Sequence, residues 1–403
     1  MRILFIVPYI PSLIRVRSYN LIRTLAAQGH RVHLVVLQPP EDRLASANEL
    51  REVCAQVDVF PLSRARTLLN ALRALPTALP LQAAYSHHPQ AEEHLRQIVR
   101  TGQFDVAHVE HLRGAVLVER LSGVPRVFDS VDSIAYLFEQ ASRLAPKITQ
   151  RLMARVDLAR TRRFEARAPH RFERTLVTSP VDARAIRDLA GDDADSRIRL
   201  LPNGVNLNFF HPSEAPPESA TVLFSGKISY HANSAAVLHL GREIMPRVWQ
   251  QRPDARLMIV GKDPTPAVRA LCADPRVTVT GYVDDLRPYF ARATLAISPL
   301  LYGAGIQNKV LEALASGVPV VATPRILGGL QAQPNRDLLV GEDADQLARH
   351  IVRLIDDVAL RHELGAAGRR YVERYHSWSQ IVNTLAQIYA EARAAPLTTF
   401  PPA

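Results

Sequence analysis

The chain has 403 residues, of which 47% are hydrophobic and 22% are charged. This composition is typical of globular proteins, and no apolar run reaches the roughly 18 residues that cross a bilayer, so a helical membrane span is excluded. The length exceeds what one hydrophobic core usually supports, and we therefore expect two domains. The net charge of +10 favours an anionic partner but does not identify it.

The first half of the chain alternates apolar runs with helical or loop segments, which predicts a parallel, doubly wound α/β sheet. The first run follows Arg2 directly, so we expect no secretory signal peptide. Cys54 and Cys272 are the only cysteines and lie far apart, which argues against structural disulfides and for a reducing cytoplasm. The predicted strands of this half are 3–7, 32–37, 57–60, 106–109, 126–128, 175–178 and 198–201.

The loop after the first strand, from Pro8 to Arg15, contains no glycine. The glycine-rich fingerprint of a dinucleotide-binding domain is therefore absent, which excludes an NAD-dependent dehydrogenase, the obvious alternative for a double α/β chain. The loop instead carries Arg15 and Arg17 into the next helix. Plain surface charge at a helix start is an equally good interpretation of Arg15.

Polar residues follow the fifth predicted strand. Asp129, Ser130 and Asp132 lie at its carboxyl end, where clefts form in open α/β sheets, and Asp129 is a candidate site residue. The competing interpretation is that Asp132 or Ser133 caps a helix that begins at Ile134.

His108, Glu110 and His111 end the preceding strand and invite interpretation as a metal site. Residues of a strand alternate between its two faces, so these three side chains cannot all converge on one ion. We therefore predict no metal here, and a substrate contact by Glu110 or His111 is the better hypothesis.

A basic stretch runs from Arg143 to Arg174, with Asp157, Glu165 and Glu173 as its only acidic residues. Apolar residues recur among its cations at helical spacing, which predicts a basic amphipathic surface suited to anionic lipid. A solvated helix is an equally good interpretation, and nucleic acid is not predicted because no recognised binding motif accompanies the charge. The cations are Arg143, Lys147, Arg151, Arg155, Arg160, Arg162, Arg163, Arg167, Arg171 and Arg174.

The second half repeats the alternation after a proline- and serine-bearing segment that is typical of a linker. Its predicted strands are 221–224, 256–260, 277–280, 294–298 and 318–322, and its last predicted helices are 344–357, 359–375 and 379–394. The expected divisions of the chain are a first domain at 1–203, a linker at 204–219, a second domain at 220–377, a final helix at 378–394 and a disordered tail at 395–403.

The segment 298–323 combines a strand end, a glycine-bearing loop, a helix and a strand. Gly303 and Gly305 allow a sharp turn, so we expect the amides from about Gly305 to Asn308 to open the helix and face an anion. Lys309 lies in the first turn, and Glu312 shares its face, where a carboxylate accepts hydrogen bonds from ribose hydroxyls. The pattern indicates a nucleoside diphosphate site. An ordinary solvated pair, worth about 0.3–0.5 kcal/mol, would not require two glycines at the helix start.

This segment resembles the donor-binding signature of GT-B glycosyltransferases, specifically the retaining enzymes of family 4. Three stretches look most like the sugar transferases associated with exosortase systems: Arg17-Ser18-Tyr19, 264–269 and 305–309. Further pieces similar to the family are Pro202-Asn203-Gly204-Val205-Asn206, Gly226-Lys227, Ile259-Val260-Gly261 and Gly281-Tyr282-Val283.

The resemblance implies two Rossmann-like domains that face each other across a cleft, with the last helix crossing back to the first domain. It also implies metal-free transfer of a sugar from a nucleotide-diphosphate donor to a saccharide or lipid-linked acceptor, in the cytoplasm or peripherally at the inner membrane. Arg15 and Arg17 would face the cleft, where arginines suit a phosphate. Catalytic roles fall to Lys309, Glu312 and Lys227, donor binding to Gly226, Gly261, Tyr282, Val283, Gly305, Ile306, Gln307 and Asn308, and acceptor contacts to Arg15, Arg17, Glu110, His111 and Asp129.

Two departures from the family pattern bear on these roles. Lys227 matches the first basic position of the family, but 230–233 contains no second lysine. Many relatives have a glutamate eight residues before Glu312, where this chain has Ala304, so the donor-sugar role of that glutamate does not transfer. A nucleotide-sugar epimerase of the same fold and a non-catalytic, lipid-associated scaffold remain the alternatives.

Overall fold

The chain divides by its internal contacts into two compact units, Met1–Pro202 with Trp378–Ala403 (unit 1) and Asn203–Ser377 (unit 2). The computed structural model describes residues 1–12, 15–40, 42, 48–119, 121–144, 148–302 and 306–398.

Unit 1 is built on a seven-stranded parallel sheet with the strand order β3-β2-β1-β4-β5-β6-β7. Its strands are β1 (Arg2–Val7), β2 (Arg31–Gln38), β3 (Gln56–Pro61), β4 (Val106–Glu110), β5 (Arg126–Val131), β6 (Arg174–Val177) and β7 (Ile198–Leu200). The helices are α1 (Val16–Ala27), α2 (Asn48–Val53), α3 (Arg64–Ala74), α4 (Leu81–Tyr85), α5 (Pro89–Thr101), α6 (His111–Val118), α7 (Ile134–Leu144), α8 (Ile148–Arg171) and α9 (Pro180–Ala190).

Helices cover both faces of this sheet, because successive side chains of β1 point to opposite faces and pack in different apolar clusters. Ile3 and Phe5 pack in one apolar cluster with residues of α1 and the carboxyl-terminal helix α17 (Trp378–Ala394). Leu4 and Ile6 pack in a second cluster with residues of α5 and α6. A strand that is buried on both faces reads as a continuous apolar run, which is why these strands were predictable.

Unit 2 has a six-stranded parallel sheet with the order β10-β9-β8-β11-β12-β13. Its strands are β8 (Thr221–Ser225), β9 (Arg256–Val260), β10 (Val277–Val279), β11 (Leu295–Ser298), β12 (Val320–Ala322) and β13 (Leu339–Val340). Its helices are α10 (His231–His239), α11 (Met245–Gln251), α12 (Pro266–Arg269), α13 (Arg287–Arg292), α14 (Asn308–Ala315), α15 (Ala344–Asp356) and α16 (Val358–Tyr375).

The predicted fold class, two Rossmann-like doubly wound domains, is confirmed. Three details differ from the expectations. The two-residue strand β13 was not predicted because it is too short to form an apolar run. The helix α14 begins at Asn308, later than the predicted opening near Gly305. Of the predicted tail, Thr398 contacts unit 1, because its amide donates to Glu173 Oε1 at 2.8 Å and its carbonyl accepts from Arg126 Nη2 at 2.9 Å, and 399–403 lie outside the described residues.

Candidate functional site

Three glycine loops meet at the carboxyl edge of the unit 2 sheet, after β8, β9 and β10. The Gly226 amide donates to Val260 O at 3.0 Å, and the Gly261 amide donates to Gly281 O at 3.1 Å. Gly261 has a φ of 153°, and a Cβ atom added to it would lie 1.7 Å from the Gly226 carbonyl oxygen. Only glycine fits this approach, so Gly226, Gly261 and Gly281 form a continuous backbone surface, which we call the glycine floor.

Lys309 extends from the first turn of α14 towards this floor. Its Nζ donates to Asn233 Oδ1 at 2.5 Å and lies 4.2 Å from the centre of the Phe224 ring. Asn233 Nδ2 in turn donates to the Lys227 carbonyl at 2.9 Å. Asn233 therefore holds the Lys309 amine beside the loop after β8. Asn233 was not among the predicted site residues, because 230–233 stood out in the sequence only for the absence of a second lysine.

Burial perturbs the pKa values of Lys309 and Glu312, which lie on the half-buried face of α14. It lowers the pKa of Lys309 to about 7, and Glu312 partly opposes this. It raises the pKa of Glu312 to about 7, with Lys309 acting in the opposite direction. Among the described residues, Lys309 is the charged group that acts on the Glu312 carboxylate. Both groups are half-buried and would gain from a ligand that supplies an anion and hydroxyl donors.

Lysine is scarce in this chain, because only four of the 49 lysine and arginine residues are lysines. Lys227, Lys262 and Lys309 follow β8, β9 and β11, three adjacent strands of the unit 2 sheet, at their carboxyl ends. Lys262 was not among the predicted site residues, although lysines are rare in this chain and this one directly follows Gly261.

The other predicted donor residues surround the start of α14. Ile306 is buried, and Gln307 precedes the helix without a side-chain capping bond. Asn308 Oδ1 accepts from Asn203 Nδ2 at 3.1 Å. Tyr282, next to the glycine floor, is 63% exposed. The predicted roles of Gly305 and Ala304 lie outside the described residues.

A cavity of about 1400 Å³ in unit 2 lies elsewhere. It is lined by the linker and by residues 316–319 beyond the carboxyl end of α14. Arg369 at this cavity donates to the carbonyls of Ala315 and Phe210 at 2.6 and 2.7 Å, which is a structural role. The candidate site is therefore assigned by its chemistry and not by cavity size.

In unit 1 the structure brings Arg17 and Asp129 together. Arg17 Nε donates to Asp129 Oδ2 at 2.8 Å, and both side chains are buried. Burial raises the pKa of Asp129, and Arg17 opposes this increase. His108 Nε2 lies 3.7 Å from the same carboxylate, and its Nδ1 is 2.9 Å from Tyr389 Oη. Arg17, predicted as a phosphate ligand, is first of all the counterion of a buried carboxylate.

Glu110 lies beside Asp129 on adjacent strands and is also buried. Its carboxylate accepts a hydrogen bond from Tyr9 Oη, and among the described residues its Oε2 has no hydrogen-bond partner. Burial, with a contribution from Asp129, raises the pKa of Glu110 well above its ordinary value. A buried carboxyl oxygen of this kind is able to accept from a ligand hydroxyl.

The remaining unit 1 candidates have separate surroundings. Arg15 pairs with Asp42 and stacks over the Tyr9 ring at 4.4 Å. His111 opens α6 with a φ of 66°, and burial lowers its pKa to about 3. Ser133, not Asp132, caps α7, since its Oγ accepts from the Tyr136 amide at 3.2 Å.

The basic stretch lies on α7, α8 and β6, and part of its charge is neutralised. Arg143 and Arg162 both pair with Glu139, at 2.7 and 2.9 Å. Lys147 lies outside the described residues. The exposed cations of α8 are Arg151, Arg155, Arg162, Arg163 and Arg167.

An apolar surface that the sequence analysis missed lies next to α8. Leu68, Leu69, Leu72 and Leu75, on and just after α3, are each exposed, with Leu68 at 62%. Arg160 of α8 joins the two helices, because its Nη2 donates to Leu75 O at 2.7 Å. Leu152 and Val156 on α8 are exposed as well. In the part of the chain that the structure describes, no helix combines the length and the apolar character of a membrane span.

Comparisons with known proteins agree with this geometry. The family model "Glycosyltransferase Family 4" matches residues 14–209, and "Glycosyl transferases group 1" matches residues 219–357. A GDP-mannose-dependent monoacylated alpha-(1-6)-phosphatidylinositol monomannoside mannosyltransferase of Corynebacterium glutamicum is 32% identical over 208 residues. This match covers 47% of the chain and 55% of that relative, so the chain spans about half the length of the curated relative.

Solved structures give the same fold over nearly the whole chain. Sucrose-phosphate synthase from Thermosynechococcus elongatus has a TM-score of 0.71 at 20% identity and covers 98% of this chain and 100% of its own. Anabaena HepE in complex with UDP has a TM-score of 0.66 at 16% identity and covers 97% of this chain and 100% of its own. The fold is therefore that of the GT-B class. With both halves matched by glycosyltransferase family models, the chain belongs to the group 1, family 4-type glycosyltransferases.

Proposed function

We propose that this glycosyltransferase moves a sugar from a nucleotide-diphosphate donor to a saccharide or lipid-linked acceptor, with retention of anomeric configuration, in polysaccharide or glycoconjugate biosynthesis. The observation that carries the proposal is the pair Lys309 and Glu312 at the start of α14, with the Lys309 amine held beside the glycine floor by Asn233. The UDP bound to the HepE structure supports this type of donor. From the resemblance to exosortase-associated sugar transferases, we propose that the protein acts in a biosynthetic system of that kind.

The proposed mechanism is electrostatic. As the glycosidic bond to the donor breaks, negative charge grows on the diphosphate, and Lys309, Lys227 and the first-turn amides of α14 stabilise it there. Glu312 accepts hydrogen bonds from the ribose hydroxyls and fixes the nucleoside. These groups supply positive charge and dipoles without a metal ion, so none is required in the proposed mechanism. Glu110 and Asp129 are the proposed acceptor-side contacts.

Purified full-length protein incubated with a panel of nucleotide sugars tests the proposal through the nucleoside diphosphate released. We expect release that depends on a polyprenyl-linked or saccharide acceptor and persists in excess chelator. Conversion of the donor sugar without an acceptor would support the epimerase instead. Failure of every donor to turn over would support the non-catalytic scaffold.

The affinity for a nucleoside diphosphate should depend on pH through Lys309 and Glu312. Lys309, with its pKa lowered to about 7, loses its charge as the pH rises above that value, so binding weakens by up to about tenfold per pH unit on the alkaline side. Glu312, with its pKa raised to about 7, becomes neutral as the pH falls below it and weakens binding on the acidic side. Calorimetric titrations between about pH 6 and 9 measure both limbs.

The Glu312→Gln variant separates the two limbs of this profile. It removes the acidic limb, and it also removes the negative charge that supports the Lys309 ammonium. The alkaline weakening should therefore begin at a lower pH in the variant than in the wild type. An affinity that is independent of pH in the wild type contradicts the assigned roles.

We also propose that unit 1 rests on an anionic membrane surface through α8 and α3. Exposed arginines on α8 supply the charge, and the exposed leucines of α3 supply an apolar surface that enters the interface. Each cation near an anionic leaflet contributes about 1 kcal/mol. The lipid named in the mannosyltransferase relative supports an acceptor of this kind.

Co-sedimentation with vesicles measures this binding. We expect binding to anionic vesicles that fades as salt is raised, because screening shortens the attraction between charges. Arg151→Glu with Arg155→Glu should abolish it, and Leu68→Gln with Leu72→Gln should weaken it at low salt. Val358→Gln, at an exposed apolar residue of unit 2, is the matched control. Equal binding to neutral and anionic vesicles, or none to either, would leave the basic stretch as a solvated face.

A further inference from the structure

Three side chains that the donor chemistry does not use converge at the edge of the unit 1 sheet. His33 Nε2 and His94 Nε2 lie 2.6 and 2.7 Å from the same oxygen, Asp58 Oδ2. One ligand atom from each of the three residues lies within 4.8 Å of the other two. Among the described residues, this is the one group of histidine, cysteine and carboxylate side chains with such spacing, and it does not include His108, Glu110 or His111.

Strand register and helix packing produce this cluster. His33 and Val35 lie on one face of β2, and Val35 pairs with Asp58 on β3, so His33 and Asp58 share that face. The same face packs on α5 through Val35 and Leu95. His94 is the neighbour of Leu95 on that helix, which brings its ring to the Asp58 carboxylate.

Neighbouring side chains orient the three groups, as is usual for metal ligands. Gln56 Nε2 donates to Asp58 Oδ1 at 3.0 Å and orients the carboxylate. The His33 ring packs against Phe104 and the His94 ring against Phe60, with centroids 5.7 and 5.3 Å apart. Burial raises the pKa of Asp58, but hydrogen bonds from Gln56, His33 and His94 outweigh it and hold the pKa below its ordinary value.

We propose that His33, Asp58 and His94 bind a divalent transition-metal ion of the zinc type, with solvent as the fourth ligand. Imidazole nitrogen and carboxylate oxygen are ligands of such ions, at about 2.0–2.2 Å, which sets ligand atoms about 3.3 Å apart in a tetrahedron. The two contacts to Asp58 Oδ2, at 2.6 and 2.7 Å, would have to open to this spacing on binding the ion. The Asp58 and His94 side chains are 21% and 28% exposed, which leaves a side of the cluster open to water.

The position of the cluster favours a structural role. His33 and Asp58 are each the third residue of their strands, on the body of the sheet and not in the loops at its carboxyl edge. β3 is an edge strand, so an ion there ties the edge of the sheet to β2 and α5. The site is independent of the proposed sugar transfer, which requires no metal.

Zinc titration of chelator-treated, dialysed full-length protein tests the proposal. We expect uptake of one zinc ion per chain and a higher unfolding temperature of the zinc-loaded protein. Asp58→Asn and His94→Gln should each lower zinc affinity by more than the roughly 10–100-fold that the loss of an outer-shell partner produces. His87→Gln, at an exposed histidine near Glu92, is the matched control and should keep full affinity.

Cobalt gives a second measurement that does not depend on stability. A tetrahedral cobalt complex in the wild type should give strong visible absorption bands, which His94→Gln, altered at a partly exposed position on α5, should lose while its circular dichroism stays unchanged. No stoichiometric zinc uptake, or equal uptake by the wild type and both ligand variants, overturns the proposal. The three residues would then be a hydrogen-bonded cluster only.

Discussion

Replacing Lys309 by methionine should reduce donor turnover by about 10–150-fold, because one charge-assisted bond to the diphosphate, worth about 1.5–3 kcal/mol, is lost. Glu312→Gln should have an effect of similar size, since an amide accepts ribose hydrogen bonds without the contribution of the charge. Both substitutions nearly preserve the shape of the side chain. They also remove half-buried charges, so neither should unfold unit 2.

The matched control for Lys309 is Arg256→Met. Arg256 is an exposed cation at the amino end of β9, on the edge of the sheet opposite the glycine floor. Its removal changes the net charge by the same amount and should leave kcat/KM unchanged. Steady-state kinetics with the best donor of the panel provide the measurement. Near wild-type turnover by either Lys309→Met or Glu312→Gln would remove the centre of the proposed mechanism.

Replacing Arg17 by methionine should destabilise unit 1 by about 3–5 kcal/mol, because it leaves the buried Asp129 carboxylate without its counterion. This loss of unfolding free energy should be smaller at acidic pH. Burial already raises the folded-state pKa of Asp129, and removing Arg17 raises it further, so the folded variant takes up a proton more readily than the unfolded chain. Stability of the variant therefore falls as the pH rises from the unfolded pKa through the folded one.

Arg15→Met is the matched control, because the Arg15 side chain is 31% exposed and pairs with Asp42 near the surface. Its effect should stay within about 1 kcal/mol. The chain has two tryptophans, and only Trp378 belongs to unit 1, so denaturation in a Trp249→Phe background follows that unit by fluorescence. Equal midpoints for Arg17→Met and Arg15→Met would show that the buried pair contributes little.

The sequence predicted most strands because parallel strands buried on both faces form continuous apolar runs. It predicted Lys309 and Glu312 because a glycine loop, a helix start and a charged face lie within one short segment. It did not predict Asn233, whose role depends on where α10 places it, or the leucines of α3, whose exposure depends on what the rest of unit 1 leaves uncovered. The cluster of His33, Asp58 and His94 depends on strand register, which the order of residues does not give.

The glycine floor also limits how this protein can diversify. A side chain at Gly261 would displace the Gly226 carbonyl, so position 261 cannot accept a larger residue unless the loop after β8 moves as well. Tyr282 is under no such restriction, because it is mostly exposed beside Gly281. On the proposal that the glycine floor binds the nucleotide, related enzymes with a different nucleotide preference are expected to have changed the residue at position 282 and its exposed neighbours, while the backbone beneath them stayed the same.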